Sequence, residues 1–144
     1  MAVPEQGDFV LDASSLLAYL RGEPGGDLVQ RVFSHCAECG YKAKTTALVL
    51  LRVYEQAAEE NELMMDDVIS VLEQLPLEVV PLTGDLAAQS VRTSLVKGIK
   101  DSAGGSAAEL ATTIGGTLVT ADKDMARLLP GSLLVSERTG RKDY

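Results

Sequence analysis

The sequence contains no tryptophan, and aromatic residues make up only 4% of its 144 positions. A core without large rings must be built mainly from Leu, Val, Ala and Ile, a mix that suits parallel strands covered by helices on both faces. Histidine occurs once, as His35. That leaves Ser14 and Ser15 without a motif-borne base for a hydrolytic triad. Cysteine is confined to Cys36 and Cys39 beside the same histidine. Three such groups fall short of the four ligands of structural zinc, so both thiols are expected to be reduced, metal-free residues of a helix ending at Gly40. No run approaches the ~18 apolar residues that span a membrane. The segment before Phe9 carries Pro4, Glu5 and Asp8 without a basic stretch, unlike a secretory signal, and a soluble cytoplasmic protein is expected. Basic residues are also in deficit, 13 against 21 acidic ones, for a formal net charge of −8. Affinity for phosphate backbones comes largely from Lys and Arg, so the charge argues against a plain nucleic-acid-binding module. It argues less against a nuclease that holds a divalent metal.

What is present is an alternation of short apolar runs and helical patterns. Phe9-Val10-Leu11 reads as a buried strand, followed by a helix over 13–20 with Leu16, Leu17 and Leu20 at helical spacing. Gly22-Glu23-Pro24-Gly25-Gly26 breaks it, and a second helix spans 27–39, with Leu28, Val32 and Cys36 on one stripe. Tyr41 to Ala43 is a strand candidate. Thr45 or Thr46 then caps a helix reaching about Glu60, with Leu48, Leu51 and Tyr54 as its expected buried stripe and Glu59, Glu60 and Glu62 as an exposed acidic rim. A helix over 65–74, through Val68, Ile69 and Leu72, precedes a strand over 77–82. Helices follow over 84–97 and 102–114, then a strand over 117–120, a helix over 122–129 and a strand over 133–135. The small residues from Ala103 to Ala111 suit close helix packing, and Gly104-Gly105-Ser106 matches no phosphate-loop pattern. The order β-α-α-β-α-α-β-α-α-β-α-β predicts a three-layer α/β/α architecture with a mainly parallel central sheet. One domain over 1–144 is expected, with the polar segment 136–144 as a frayed tail.

Ligands of such sheets bind outside the carboxyl ends of the strands. Two strands here end in an acid, at Asp12 and at Asp122, and Asp124 follows. Neighbouring carboxylates repel unless a cation is shared among them, which points to a hard divalent ion. Asp directly after a strand is equally a routine helix N-cap, and both Asp12 and Asp122 precede helices.

The opening segment Phe9-Val10-Leu11-Asp12-Ala13-Ser14-Ser15-Leu16-Leu17-Ala18-Tyr19-Leu20 with Gly22-Glu23-Pro24-Gly25 resembles the start of PIN domains, in particular the VapC-type toxins. Gly116-Thr117-Leu118-Val119-Thr120-Ala121-Asp122-Lys123-Asp124-Met125 is similar to their closing motif, and Leu77-Glu78-Val79-Val80-Pro81-Leu82 to a mid-chain strand. The resemblance implies a PIN-like fold and an endoribonuclease site in which acids hold Mg²⁺ or Mn²⁺. The metal would activate a water and stabilise the charge on a scissile RNA phosphate. Asp12 matches the first family acid, Asp122 a late one, and Asp124 an auxiliary. The implied metal ligands are Asp12 and Asp122.

Two family acids are missing. About six residues into the helix that begins near Thr46 stands Arg52 in place of a glutamate, and about eighteen residues before Asp122 stands Gly104 in place of an aspartate. A guanidinium ~4 Å from a divalent ion would be disfavoured by about 8 kcal/mol at an effective dielectric of 20, so Arg52 and metal exclude each other. Either the site has decayed, with no metal, or the acids have shifted by one turn, to Glu55 and Asp101. A turn is ~5.4 Å, more than a metal site tolerates without rearrangement, which favours decay. In the decayed case Arg52 either forks onto a carboxylate in the crevice or lies on the solvent face. The functional expectation is therefore a toxin-type endoribonuclease acting on RNA through Asp12, Asp122, Asp124 and Glu55 or Asp101, with an antitoxin-like partner and a homodimeric state. Its alternative is a catalytically silent PIN-fold domain kept for protein binding or dimerisation.

Overall fold

The computed structural model describes residues 8–60 and 64–135. Its twelve elements are β1 (Phe9–Leu11), α1 (Ala13–Leu20), α2 (Gly26–Cys39), β2 (Ala43–Thr46), α3 (Ala47–Glu59), α4 (Met65–Glu73), β3 (Leu77–Val80), α5 (Gly84–Lys97), α6 (Ser102–Ile114), β4 (Thr117–Thr120), α7 (Lys123–Leu128) and β5 (Leu133–Leu134). The expected element order and parallel sheet are both observed. All four strand pairings are parallel, in the order β3-β2-β1-β4-β5. β1 is central: Phe9, Val10 and Leu11 are each at most 1% exposed. Successive strand side chains point to opposite faces, so three buried in a row require cover on both sides. Helices provide it, giving the three-layer arrangement.

The chain runs outward from β1 to β3 on one side and places β4 and β5 on the other, so the order reverses between β1 and β4. Such a switch point opens a crevice at the carboxyl ends of the two strands. The register pairs Leu11 with Val119, which brings the residues just after them, Asp12 and Thr120, to the same edge.

The second strand departs from expectation. Tyr41 lies outside β2, which runs over Ala43–Thr46 because its partner β3 pairs Ala43 with Leu77 through Thr46 with Val80. Polar Lys44, Thr45 and Thr46 hide it in the sequence; Thr45 is fully buried and its hydroxyl donates to Leu11 O at 2.8 Å. β3 stops at Val80, before Pro81, and Asp122 and Val135 flank α7 and β5 instead of belonging to them. The helix stripe also shifts on α3. Val49, Val53 and Ala57 are buried, whereas Leu51 is 53% exposed and Leu48 and Tyr54 are half-buried. α3 packs against α6, α1 and α4, and its smaller apolar side chains are the ones fully covered.

α6 lies against β1, β2 and β4 through Ala103, Ala107, Ala108 and Ala111, all buried. The second of its two glycines is a spacer: a Cβ on Gly105 would stand 2.7 Å from Ser90 O of α5. On α2 the stripe of Leu28, Val32 and Cys36 is buried as expected, joined by Val29 and Phe33. Cys39 is exposed, and both thiols are free. Gly40 closes α2 in the left-handed conformation at φ 78°, which glycine adopts without a Cβ clash. Glu62 and the segment 136–144 lie outside the described residues.

Candidate functional site: an acidic cleft at the sheet edge

The switch point holds a cleft of about 330 Å³. Asp12 and Asp122 enter it from the ends of β1 and β4, Asp101 from the start of α6, Glu23 from the turn between α1 and α2, and Arg21 and Arg52 from α1 and α3. Asp12 is 4% exposed, and the other carboxylates are more open.

Both carboxylate oxygens of Asp12 accept hydrogen bonds, three in all. Its Oδ1 accepts from Ser14 Oγ at 2.8 Å and from Ser15 N at 3.0 Å, and its Oδ2 accepts from Thr120 Oγ1 at 2.5 Å. Ser14 Oγ in turn accepts from Ala121 N at 2.8 Å, and Thr120 Oγ1 from Asp122 N at 3.1 Å. One polar network thus caps α1 and stitches β1 to the end of β4. Burial pushes the Asp12 carboxyl above its usual range, against the lowering effect of the hydrogen bonds from Thr120, Ser15 and Ser14.

The other acids are also capping residues. Asp101 Oδ1 accepts from Gly104 N at 2.6 Å at the start of α6. Asp122 Oδ1 accepts from Asp124 N at 2.8 Å and Met125 N at 3.4 Å at the start of α7.

Not every anticipated residue arrives. Asp124 does not line the cleft; it is exposed and pairs with Arg127 one turn on, at 3.2 Å, because it sits on the outer side of α7. Glu55 lines a neighbouring hollow of about 230 Å³ with Leu48 and Leu51 and does not reach Asp12. Arg52 and Asp101 border both hollows. Arg52 therefore borders the crevice, but it is exposed and forms no ion pair among the described residues, so of its two alternatives the fork onto a carboxylate is absent. Sequence reasoning missed other participants. Glu23 reads in sequence only as part of a chain break. Arg21 forks onto Glu60, whose acidic-rim reading hid a tie between the ends of α1 and α3. Ser14 and Thr120, each two residues from a cleft acid, are the signal from which the network could have been found.

The PIN-domain family model matches residues 9–128. The chain belongs to the PIN-domain family. No curated protein sequence matches it closely. Solved structures of similar fold include PAE2754 from Pyrobaculum aerophilum, at TM-score 0.62 and 17% identity, covering 90% of each chain. VapBC2 from Rickettsia felis, bound to a DNA fragment from its promoter, gives TM-score 0.64 at 15% identity, over 88% of this chain and 96% of that one. FitAcB from Neisseria gonorrhoeae gives 0.58 at 18%, over 88% and 96%.

PIN domains are associated with metal-dependent nuclease chemistry, and the acids at this cleft are not gathered as a ready set of metal ligands. Among the described residues, no three His, Cys, Asp or Glu side chains are grouped to hold an ion. The oxygens of Asp12 already have three donors. Position 104 is tight: a Cβ there would lie 3.2 Å from Ile99 Cγ2 and 3.3 Å from Asp101 Oδ1.

Proposed function

We propose that this PIN domain is a catalytically silent member of the toxin–antitoxin branch, retained to bind a protein partner of antitoxin type. The engaged carboxylate of Asp12 carries the reading: with Ser14, Ser15 and Thr120 donating to both oxygens, it works as a cap and a strand-to-strand tie. The open guanidinium of Arg52 in the same cleft, and the close neighbours of Gly104, agree with it. Without metal, the four acids Asp12, Glu23, Asp101 and Asp122 outnumber Arg21 and Arg52 in the cleft and disfavour RNA phosphates, and the whole-chain charge of −8 adds to this. The same carboxylates suit a basic segment of a partner protein. Structural neighbours solved as VapBC and FitAcB support an antitoxin-type partner.

A second reading has one observation in its favour. Asp101, one turn from the expected position, lines the cleft with Asp12 and Asp122, as a displaced endoribonuclease site would require. Calorimetric titration with Mn²⁺ and incubation of single-stranded RNA with Mg²⁺ separate the two. The silent reading expects no Mn²⁺ binding tighter than ~1 mM (about −4 kcal/mol) and no cleavage above background. Mg²⁺-dependent cleavage abolished by Asp12→Asn and by Asp101→Asn would establish the displaced site instead.

A further inference from the structure

The end of α2 gathers both thiols and the single imidazole of the sequence, and none of the three lines the cleft. Cys36 is 0% exposed and belongs to the core, whereas Cys39 is open to solvent, and both are free. Three residues along an α-helix, their Cα atoms stand ~5 Å apart, inside the ~4.4–6.8 Å that a disulfide spans. His35, one turn before Cys39, brings its Nε2 to 3.8 Å from Cys39 Sγ. Its ring is held edge-on against Phe9 and Tyr41, with centroids 6.3 Å away in both cases. The Tyr41 hydroxyl is buried and has no hydrogen-bond partner of its own among the described residues. It stands beside Cys36, whose charged form it favours.

These positions divide two roles. A thiol attacks a disulfide as its thiolate, and access decides which of two goes first. Cys39 is accessible and has a proton acceptor beside it. Cys36 is covered, and burial pushes its thiol above the ordinary value, so it does not compete for the first attack. The geometry points to a dithiol–disulfide site in which Cys39 is the entry thiol, His35 its base and Cys36 the resolving thiol. The oxidant is a low-molecular-weight disulfide of the glutathione type. In the first step the Cys39 proton passes to His35 Nε2, in the tautomer with its hydrogen on Nδ1, and Cys39 Sγ attacks one sulfur of the oxidant. The mixed disulfide forms, the S–S bond of the oxidant breaks, and the leaving thiolate takes the proton from His35. In the second step Cys36 Sγ attacks Cys39 Sγ, with the Tyr41 hydroxyl beside it, and the second small thiol leaves carrying the Cys36 proton. Two protein thiols are oxidised to one disulfide, and one small disulfide is reduced to two thiols.

The test incubates the whole protein with oxidised glutathione, alkylates it with iodoacetamide and weighs it by mass spectrometry, with circular dichroism checking the fold of each variant. The wild type is expected to lose two hydrogens and resist alkylation, and dithiothreitol should reverse the change. Cys36→Ala should stop with one glutathione on Cys39. Cys39→Ser, altered only at an exposed position, should take up none. His35→Gln should slow the first step about tenfold or more and leave the product the same. A wild type that keeps a stable mixed disulfide at Cys39, joins two chains through Cys39, or reacts first at Cys36 would overturn the proposal. So would a His35→Gln protein that reacts at the wild-type rate.

Discussion

Replacing Asp12 by Asn removes the charge but keeps the shape, and the surrounding hydrogen bonds set the outcome. Asn Oδ1 can accept from Ser15 N and Ser14 Oγ as the aspartate does. The new amide hydrogen can go to Thr120 Oγ1, whose own hydrogen can turn to Ser14 Oγ, 3.1 Å away. Every existing group keeps a partner and only the second amide hydrogen gains none, a cost offset by removing a buried charge, so Asp12→Asn should change stability at pH 7 by less than ~1 kcal/mol. Asp12→Ala, by contrast, loses the α1 cap, about 1 kcal/mol, and strands the hydroxyls of Ser14 and Thr120, about 1 kcal/mol each. The Asn and Ala variants should therefore differ by about 3 kcal/mol, or ~6–12 °C in Tm for a chain of this size. Urea denaturation at several pH values reads both. Because burial raises the folded-state pKa of Asp12 above 3.8, the folded protein takes up this proton more readily than the unfolded chain. The favourable contribution of this group is fully present below 3.8 and is lost as pH rises through the folded value. Asp12→Asn should accordingly gain on the wild type as pH rises through that window and lose the advantage toward pH 3.8. Equal damage from Asn and Ala at pH 7 would refute the reasoning, because the charge itself would then be needed.

Two further substitutions probe the frame around the cleft. Gly105→Ala would drive a methyl to 2.7 Å from Ser90 O and should destabilise by about 2 kcal/mol even after the ~1 kcal/mol that alanine gains in a helix; an unchanged Tm would show that α5 and α6 are not in close contact. Thr46 caps α3 through Val49 N at 3.0 Å and meets Ser106 Oγ at 2.7 Å, so Thr46→Val should cost about 1–2 kcal/mol. A double-mutant cycle with Ser106→Ala should show a coupling of ~1 kcal/mol, and strict additivity would mean that the hydroxyl pair contributes nothing.

The sequence by itself determined the order of elements and the parallel sheet. Short apolar runs such as Phe9-Val10-Leu11 and Thr117-Leu118-Val119-Thr120, set between helical periodicities and glycine stops, leave few other architectures. It also brought Asp12 and Asp122 to one edge, because each lies within two residues of the end of a strand of a single parallel sheet. Depth was not legible. Leu51 and Val53 are both apolar and one is exposed, because which stripe of α3 is covered depends on α6, which comes about fifty residues later in the chain. The strand of Lys44, Thr45 and Thr46 is hidden for the same reason: its side chains meet Asp8, Leu11 O and Ser106, partners that only the fold supplies. Only the tertiary structure decided the roles of the acids. A carboxylate reads identically in sequence whether it faces an ion or a ring of donors. Thr120, 108 residues from Asp12, closes that ring across the β1–β4 pairing.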